Sequence, residues 1–495
     1  MLAAQSFVGP AIDWYRLSNV LVILGGALML LLVGSLTPSW RKGMYALGSA
    51  VTCGASAVMT VLLWRDLGDK DAVPLVGNTL TLDRFGLLAM LAMTVSVLLV
   101  SLVVNDHLER EGEDGPEVYG LMLTALIGGY VMVAANDLLV LFLGLETLSL
   151  AFYLLVASSR KRTTSGEAGL KYFILGGFAS AFFLYGIALI FGVAGTTNVA
   201  KIAQGFAGVH VQASDAMTLA GIALLLVGFG FKVALVPFHV WTPDVYQGAP
   251  TPITALMASV GKTAAFVALA RVFLVALPGR SDDWAPAVFA LAVVTLLVGS
   301  ALAVVQTDVK RMLAYSSISH AGFILVGLEA ASHGGSTDAG LGVQSVGSYV
   351  VIYSLLVIGT FAVTSAVAQD GEASLDIFKG LGRTNPVLAL CMTTLLLAQA
   401  GVPLTSGFIA KFGVIRAAVS AESYSLAVIA MVAAVVAAYL YLRIMVSMWL
   451  QDGAGRRATV SIATRVAIGA SVGMTVVLGV APKLILDLVS NLALS

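Results

Sequence analysis

Fourteen stretches of this chain are apolar enough, and long enough, to cross a lipid bilayer as helices. A crossing helix needs about 20 mostly apolar residues. The stretches run over 17–37, 43–64, 84–105, 118–135, 138–158, 170–194, 216–238, 252–277, 285–306, 311–329, 344–369, 386–420, 424–449 and 460–481. Inside a bilayer each backbone polar group must find its partner within the segment, so the expected fold class is an all-α polytopic membrane protein. Of 495 residues, 59% are hydrophobic and 11% charged, against about 25% charged in soluble domains. That excludes a soluble enzyme, a disordered chain and a nucleic-acid binder. The 27 basic and 27 acidic residues cancel, so no bulk field draws an acidic partner. Cys53 and Cys391 lie in apolar runs and read as packing residues. Five histidines with no His/Cys grouping make a haem or iron–sulfur site an unpromising reading.

The stretch at 386–420 is too long for one straight crossing and contains Pro403 and Gly407, which predicts a broken helix. The first apolar run is full length and Asp13 precedes Arg16, so no cleavable signal is expected. An even number of crossings puts both termini on one side. With the termini outside, the inner loops hold twelve Lys/Arg, among them Arg41, Lys42, Arg456 and Arg457, and the outer segments hold seven, among them Arg65 and Lys70. The basic excess belongs on the inner side, which favours both termini outside. Trp40, Trp64, Trp284 and Trp449 fall near span ends, as an aromatic belt would place them. The connecting loops are short, so the function is expected within the membrane or through partners.

A shift of 171 residues lays TALIGGYVMVAAND (124–137) over TLLVGSALAVVQTD (295–308). Thr124, Leu126, Gly128, Val133 and Asp137 meet Thr295, Leu297, Gly299, Val304 and Asp308. Five crossings separate the copies, so they run in opposite directions. That is the inverted repeat of many transporters, whose sites lie on discontinuous helices near the midplane. Chance similarity of two glycine-bearing apolar helices is the alternative.

Ionisable residues in a bilayer cost about 2.5–3.5 kcal/mol each at a helix centre and usually serve ions or protons. Glu146 is the one acid deep in a stretch; Asp137 and Asp308 sit at edges. Lys232 precedes Pro237, Lys262 is central in its stretch, Lys411 follows the break at Pro403, and Lys171 lies nearer an interface. One acid with several amines, each on its own helix, makes neither a metal site nor a hydrolytic one. It suits proton handling: burial disfavours a charged lysine, a nearby carboxylate restores it, and moving the carboxylate releases the proton. The plainer alternatives are a static ion pair for Glu146 and Lys232, solvated snorkelling for Lys262, a partner for freed backbone groups for Lys411, and an interfacial anchor for Lys171. His320 follows Ser316, Ser317 and Ser319, a row that either relays protons or packs helices. Tyr315 is a weaker relay candidate. His239, beside Pro237, reads as a loop-lining residue, and Arg271 and Arg443 read as anchors near span ends.

Four strings carry a family resemblance: LFLGLETLSLAFYLL, GFKVALVPFHVWTPDVYQGAPTPITALMAS, DVKRMLAYSSISHAGF and GVPLTSGFIAKF. They resemble the antiporter-like membrane subunits of respiratory complex I, the NADH–quinone oxidoreductase, across nearly the whole chain. YQGAPTPITA, and lysine at 411 where M-type subunits are expected to carry glutamate, are similar to the N-type subunits. The chain ends soon after the last stretch, without the long lateral helix of L-type subunits. The resemblance implies fourteen helices with two inverted five-helix repeats and broken helices 7 and 12. It divides the chain into 1–117 (helices 1–3), 118–277 (helices 4–8), 285–450 (helices 9–13) and 460–495 (helix 14). It implies that Glu146, Lys232, Lys262 and Lys411 form a midplane proton route, with Lys171 as an additional lysine. It implies a multi-pass protein of the cell membrane, partnered by the bilayer, other membrane-arm subunits and neighbouring antiporter-like subunits, with no nucleic acid. No cofactor is expected in this chain; NADH, flavin, iron–sulfur clusters and quinone would belong to partner subunits. The competing functional readings are a subunit of a multisubunit cation/proton antiporter, which shares the fold, and a non-conducting scaffold.

Overall fold

Leucine, alanine and valine dominate the apolar stretches, and each closes into a helix whose backbone hydrogen bonds are internal. The computed structural model describes residues 9, 12–37, 43–68, 72–113, 115–207, 212–333, 336–368, 373–453, 458–490, 492 and 494. The helices are α1 (Ser18–Leu36), α2 (Met44–Leu67), α3 (Arg84–Glu111), α4 (Pro116–Ala134), α5 (Leu138–Val156), α6 (Thr163–Ala194), α7 (Val199–Ala207), α8 (Gln212–Val233), α9 (Trp241–Gly248), α10 (Thr251–Leu256), α11 (Lys262–Arg271), α12 (Ser281–Val304), α13 (Val309–Ser332), α14 (Ser336–Val367), α15 (Leu381–Thr384), α16 (Pro386–Ala400), α17 (Ser406–Ser420), α18 (Tyr424–Leu450), α19 (Ile462–Val480) and α20 (Lys483–Val489). A π-helical turn at Met257–Gly261 joins α10 to α11 and another at Val272–Ala276 follows, so 251–276 is one continuous rod. A hairpin of β1 (Ala72–Leu75) and β2 (Leu80–Asp83) precedes α3, pairing Ala72 with Asp83 and Leu75 with Leu80.

Thirteen helices among the described residues are long and apolar enough to span a membrane, and Pro386–Ala400 is a shorter apolar one. The 386–420 stretch is two helices of 15 residues each. Burial is graded: the most apolar window of 251–276 is 100% buried and those of α13 and α14 are 94% buried, against 22% for α1. Ionisable groups on the central rods are therefore shielded from lipid. Outer helices turn large apolar side chains outward, such as Leu143, Leu150 and Leu154 on α5.

The two matching segments are built alike. Gly128 packs so closely on α5 that a β-carbon there would lie 2.5 Å from Leu148 N; at Gly299 it would lie 2.7 Å from Ser319 N on α13. Leu148 and Ser319 are themselves 171 residues apart. Asp137 caps α5, accepting from Leu139 N at 2.9 Å, and Asp308 caps α13, accepting from Arg311 N at 2.9 Å. The residue after each aspartate then clamps a distant loop: Leu138 N donates to Thr197 O, and Val309 N donates to Ala373 O. In return Val199 N donates to Asn136 O, and Leu375 N to Thr307 O. The aspartates at span edges are thus helix caps in both copies.

Several expectations need correcting. Arg271 is not an interfacial anchor: it is fully buried, with Nη2 2.7 Å from Asp83 Oδ2. Trp284 belongs to no aromatic belt; it is wholly buried and its indole N–H donates to Leu277 O at 3.0 Å. Arg443 donates to the Val304 and Gln306 carbonyls, each at 2.7 Å, and so ties down the end of α12. Glu146 is not the only deep acid, because Asp83 and Glu329 are also buried. The stretch drawn at 216–238 stops being helical at Val233, and α6 starts at Thr163, seven residues earlier than expected. Of the residues used for sidedness and the aromatic belt, Trp40, Arg41, Lys42, Lys70, Arg456 and Arg457 lie outside the described residues. Cys53 and Cys391 are free thiols.

Candidate functional site

Both interruptions have a local cause. At the end of α8, Ala234 adopts a left-handed φ of 64°, and Leu235 N donates back to Gly230 O at 2.7 Å, closing the helix. Val236 N is taken by Thr295 Oγ1 of α12 at 3.0 Å, and the Trp241 indole donates to Phe231 O at 3.0 Å. At the end of α16, Gly401 has φ 89° and its N–H and that of Val402 return to Leu397 O. A side chain at 401 would be strained and would press on Lys411, whose Cδ lies 2.9 Å from a β-carbon built there.

Lys232, the next-to-last residue of α8, is 7% exposed and donates to Ser149 Oγ of α5 at 2.7 Å. It lies over the rings of Phe152 (5.6 Å) and Tyr172 (5.9 Å), contacts that favour a cation. Glu146, one turn before Ser149, is half-buried and accepts a short hydrogen bond from Ser180 of α6. Glu146 and Lys232 do not touch. A cavity of about 10 Å³, the space of one water, opens beside Lys232, lined by Ser149 and by Ser180, the residue that holds Glu146. Acid and amine thus reach the same water-sized space, the amine by lining it and the acid through Ser180.

Lys262 opens α11 after the π-helical turn and is 3% exposed. It donates a short hydrogen bond to the Ser317 carbonyl of α13 and sits 5.9 Å from the Tyr353 ring centroid. The Tyr353 hydroxyl donates to Ser317 Oγ at 2.7 Å. His320, one turn on, is buried between two phenols: Nδ1 is 2.7 Å from Tyr349 OH and Nε2 is 3.1 Å from Tyr441 OH. Tyr441 continues to Ser316 Oγ at 2.6 Å. Ser316 leads to Gln399 Oε1 at 3.4 Å, and the Gln399 amide donates to Thr360 at 2.6 Å. Lys411, on α17, is 6% exposed, donates to Ala400 O across the break at 3.1 Å, and lies 4.8 Å from the Phe323 ring centroid. Phe323 in turn stacks on Tyr349.

Three lysines and His320 thus line one buried belt, but not one unbroken wire. From Tyr349 through His320, Tyr441 and Ser316 to Gln399 the hydrogen bonds follow one another, and the Lys262–Ser317–Tyr353 group meets them through the contact of the Tyr353 and His320 rings at 4.9 Å. Between Lys232 and the Lys262 helix stands Phe152, against which Gly261 packs. Lys171 stands apart. It is 44% exposed, with Nζ 2.7 Å from Glu167 and 3.0 Å from Asp244, and Asp244 also accepts from Arg311 at 2.6 Å. Lys171, Glu167, Asp244 and Asp308 line a cavity of about 340 Å³ at the N-terminal end of α13. Tyr315 makes no part of the belt's hydrogen bonds. Lys310, which the sequence left among the loop residues, is wholly buried and donates to the Gln247 and Ala249 carbonyls at 2.9 and 2.6 Å, fixing the end of α9. Tyr349, Tyr353 and Tyr441 were missed because aromatic residues in apolar helices look like core. No group of three or more His, Cys, Asp or Glu able to hold a metal ion occurs among the described residues.

The comparisons agree with this architecture. The model of the NADH:quinone oxidoreductase/Mrp antiporter transmembrane family matches residues 135–437. NADH-quinone oxidoreductase subunit N of Parafrankia sp. is 42% identical, over 100% of this chain and 97% of its own. A chain of respiratory complex I from Thermus thermophilus superimposes with a TM-score of 0.79 at 29% identity, over 95% of this chain and 99% of its own. A chain of the Mrp complex from Dietzia sp. reaches a TM-score of 0.85 at 21% identity, over 97% of both, a likeness of fold alone. The chain belongs to the NADH:quinone oxidoreductase/Mrp antiporter transmembrane family, on the side of the subunit N relatives.

Proposed function

We propose that this chain is a proton-translocating membrane-arm subunit of an NADH:quinone oxidoreductase. The observation that carries the reading is the buried belt: Lys232, Lys262, His320 and Lys411 held among hydroxyls and phenols on helices that lipid does not reach. A charged amine in such a place is costly unless charge and proton both come and go. Protons enter from the Lys171–Asp244 end, reach the Glu146–Ser180 group and Lys232, pass Phe152 when water bridges the gap, and continue through Lys262 and His320 to Lys411. Glu146 sets the proton affinity of Lys232 by its distance, and the 10 Å³ cavity gives that distance room to change.

In this reading α16 and α17 together make one crossing, giving fourteen, with inverted repeats over 118–277 and 285–450 and both termini outside the cell membrane. The driving energy comes from NADH oxidation and quinone reduction in partner subunits, which hold the flavin and iron–sulfur clusters. Neighbouring antiporter-like subunits are its partners in the membrane arm. The chain itself does no redox chemistry. An Mrp-type antiporter role has the shared fold behind it but weaker sequence support.

The test is Lys232→Met and Glu146→Gln in the assembled complex, reconstituted in vesicles. Protons moved per NADH oxidised should fall at least two-fold in each. An undiminished ratio in both would overturn the proposal.

A further inference from the structure

α13 has a polar cavity at each end. Asp308, its cap, lines the one shared with Lys171 and Asp244. Ser332 and His333, at its other end, line a second cavity of about 650 Å³ with Asp282 and Phe289 of α12, Glu329 and Ser423. At 1.5 Å per residue the helix is roughly 36 Å long, enough to join the two faces of a bilayer. His320 lies midway.

Glu329 is the unusual member of the second cavity. It is 3% exposed in the last turns of a membrane helix. Its Oε1 accepts from Ser423 Oγ at 2.7 Å and lies 2.8 Å from His333 Nε2. Its Oε2 is buried and has no hydrogen-bond partner. Buried polar atoms are nearly always satisfied, so an orphan carboxylate oxygen beside a cavity points to a visitor. His333 reaches from this buried acid into the open: its side chain is 43% exposed, against 4% for Glu329. The charged groups around it are mostly acidic. Asp282 lines the cavity, Asp283 sits beside it, and Glu422 precedes Ser423. Arg280, on the turn before α12, is engaged by Asp283 at 2.7 Å and Asp215 at 3.0 Å. Such a field gathers protons rather than anions.

We propose that Glu329 and His333 form a proton-exchange site through which the second half meets the water on the face opposite the Lys171–Asp244 cavity. This rests on the proton-translocating reading above. The ligand is the proton itself. Oε2 takes it as it arrives from the Lys411 side; a half-turn of the carboxyl group presents that proton to His333 Nε2, which accepts it and becomes an imidazolium; the imidazolium releases the Nδ1 proton to cavity water. Exchange with that water returns the ring to its Nδ1–H form, and one proton has left the protein with the pair restored. The alanines on the way to Lys411, Ala330 of α13 with Ala417 of α17 and Ala421 just beyond its end, form a small apolar cluster that keeps the path shut at rest.

The experiment uses Glu329→Gln, His333→Ala and Lys232→Met in the assembled complex in vesicles, reading protons moved per NADH oxidised against the pH on the His333 face. Glu329→Gln should lower the ratio at least two-fold. His333→Ala should lower it most where that face is poorly buffered, and imidazole added there should restore it. If Glu329→Gln does not assemble, His333→Ala carries the test, because its side chain is half in solvent. Parental ratios and pH profiles in both, with Lys232→Met defective, would remove the exchange site and leave translocation standing. Parental ratios in all three would remove both.

Discussion

The α4–α5 pair and the α12–α13 pair share one backbone and differ in what they hang on it. Each has an aspartate cap, a loop clamp through the residue that follows, and a glycine pressed on the partner helix. Where α5 places Glu146, α13 places Ser317, 171 residues on; where α5 places Ser149, α13 places His320. The first pair therefore gives Lys232 a direct hydroxyl partner in Ser149 and, one turn away, an acid that does not touch it. The second offers a carbonyl to Lys262 and a closed web of imidazole, phenols and serines. Packing and capping repeat because they hold the helices together, while the polar side chains diverge. In the proposed reading one half sets a lysine's charge, and the other hands a proton along.

That contrast can be broken at several depths. The largest effect belongs to the shared glycines. Gly128→Leu or Gly299→Leu forces α4 off α5 or α12 off α13, at about 3 kcal/mol; the yield of assembled complex should collapse for either. Equal loss is the expected outcome, and tolerance of one alone would show that the copies are not packed alike. Next comes His320→Ala, which leaves the buried Tyr349 OH without its named partner, at ~2 kcal/mol. The thermal midpoint of the detergent-solubilised complex should drop visibly, and Ser149→Ala should lower it less. The caps follow: Asp137→Ala and Asp308→Ala should each cost ~1 kcal/mol, matched within the error of the same melting measurement. Smallest is Ser317→Ala. Lys262 uses the Ser317 carbonyl, so only the Tyr353 bond is lost, and proton translocation per NADH should stay within about two-fold of the parent.

Much of the frame was legible before any coordinates. Apolar stretches gave the crossings because a bilayer tolerates no other arrangement, and the 171-residue shift marked residues that prove equivalent in contact. Lys232, Lys262, Lys411 and His320 stood out because charge and polarity are rare in such sequence, and all are buried. What spacing did not reveal was depth and partnership. Arg271 and Lys310 sit near the ends of apolar runs, where solvated and buried side chains look the same in one dimension. Glu329 hid for the same reason, four residues from His333 in a polar-looking tail. The gap between Glu146 and Lys232 depends on how α6 wedges Ser180 against α5, which no pattern along one helix records. Lys171, which the sequence placed nearer an interface, pairs with acids at the surface.

The hydrogen bond from Lys411 to Ala400 carries one more consequence. The last carbonyls of a helix bear partial negative charge, and a cation beside them stabilises the end. At this joint the ammonium is the rivet between two rods that the chain itself has cut. Removing its proton would remove the rivet's charge, so in the proposed proton route each departure from residue 411 would loosen a hinge, turning electrical occupancy into mechanical displacement.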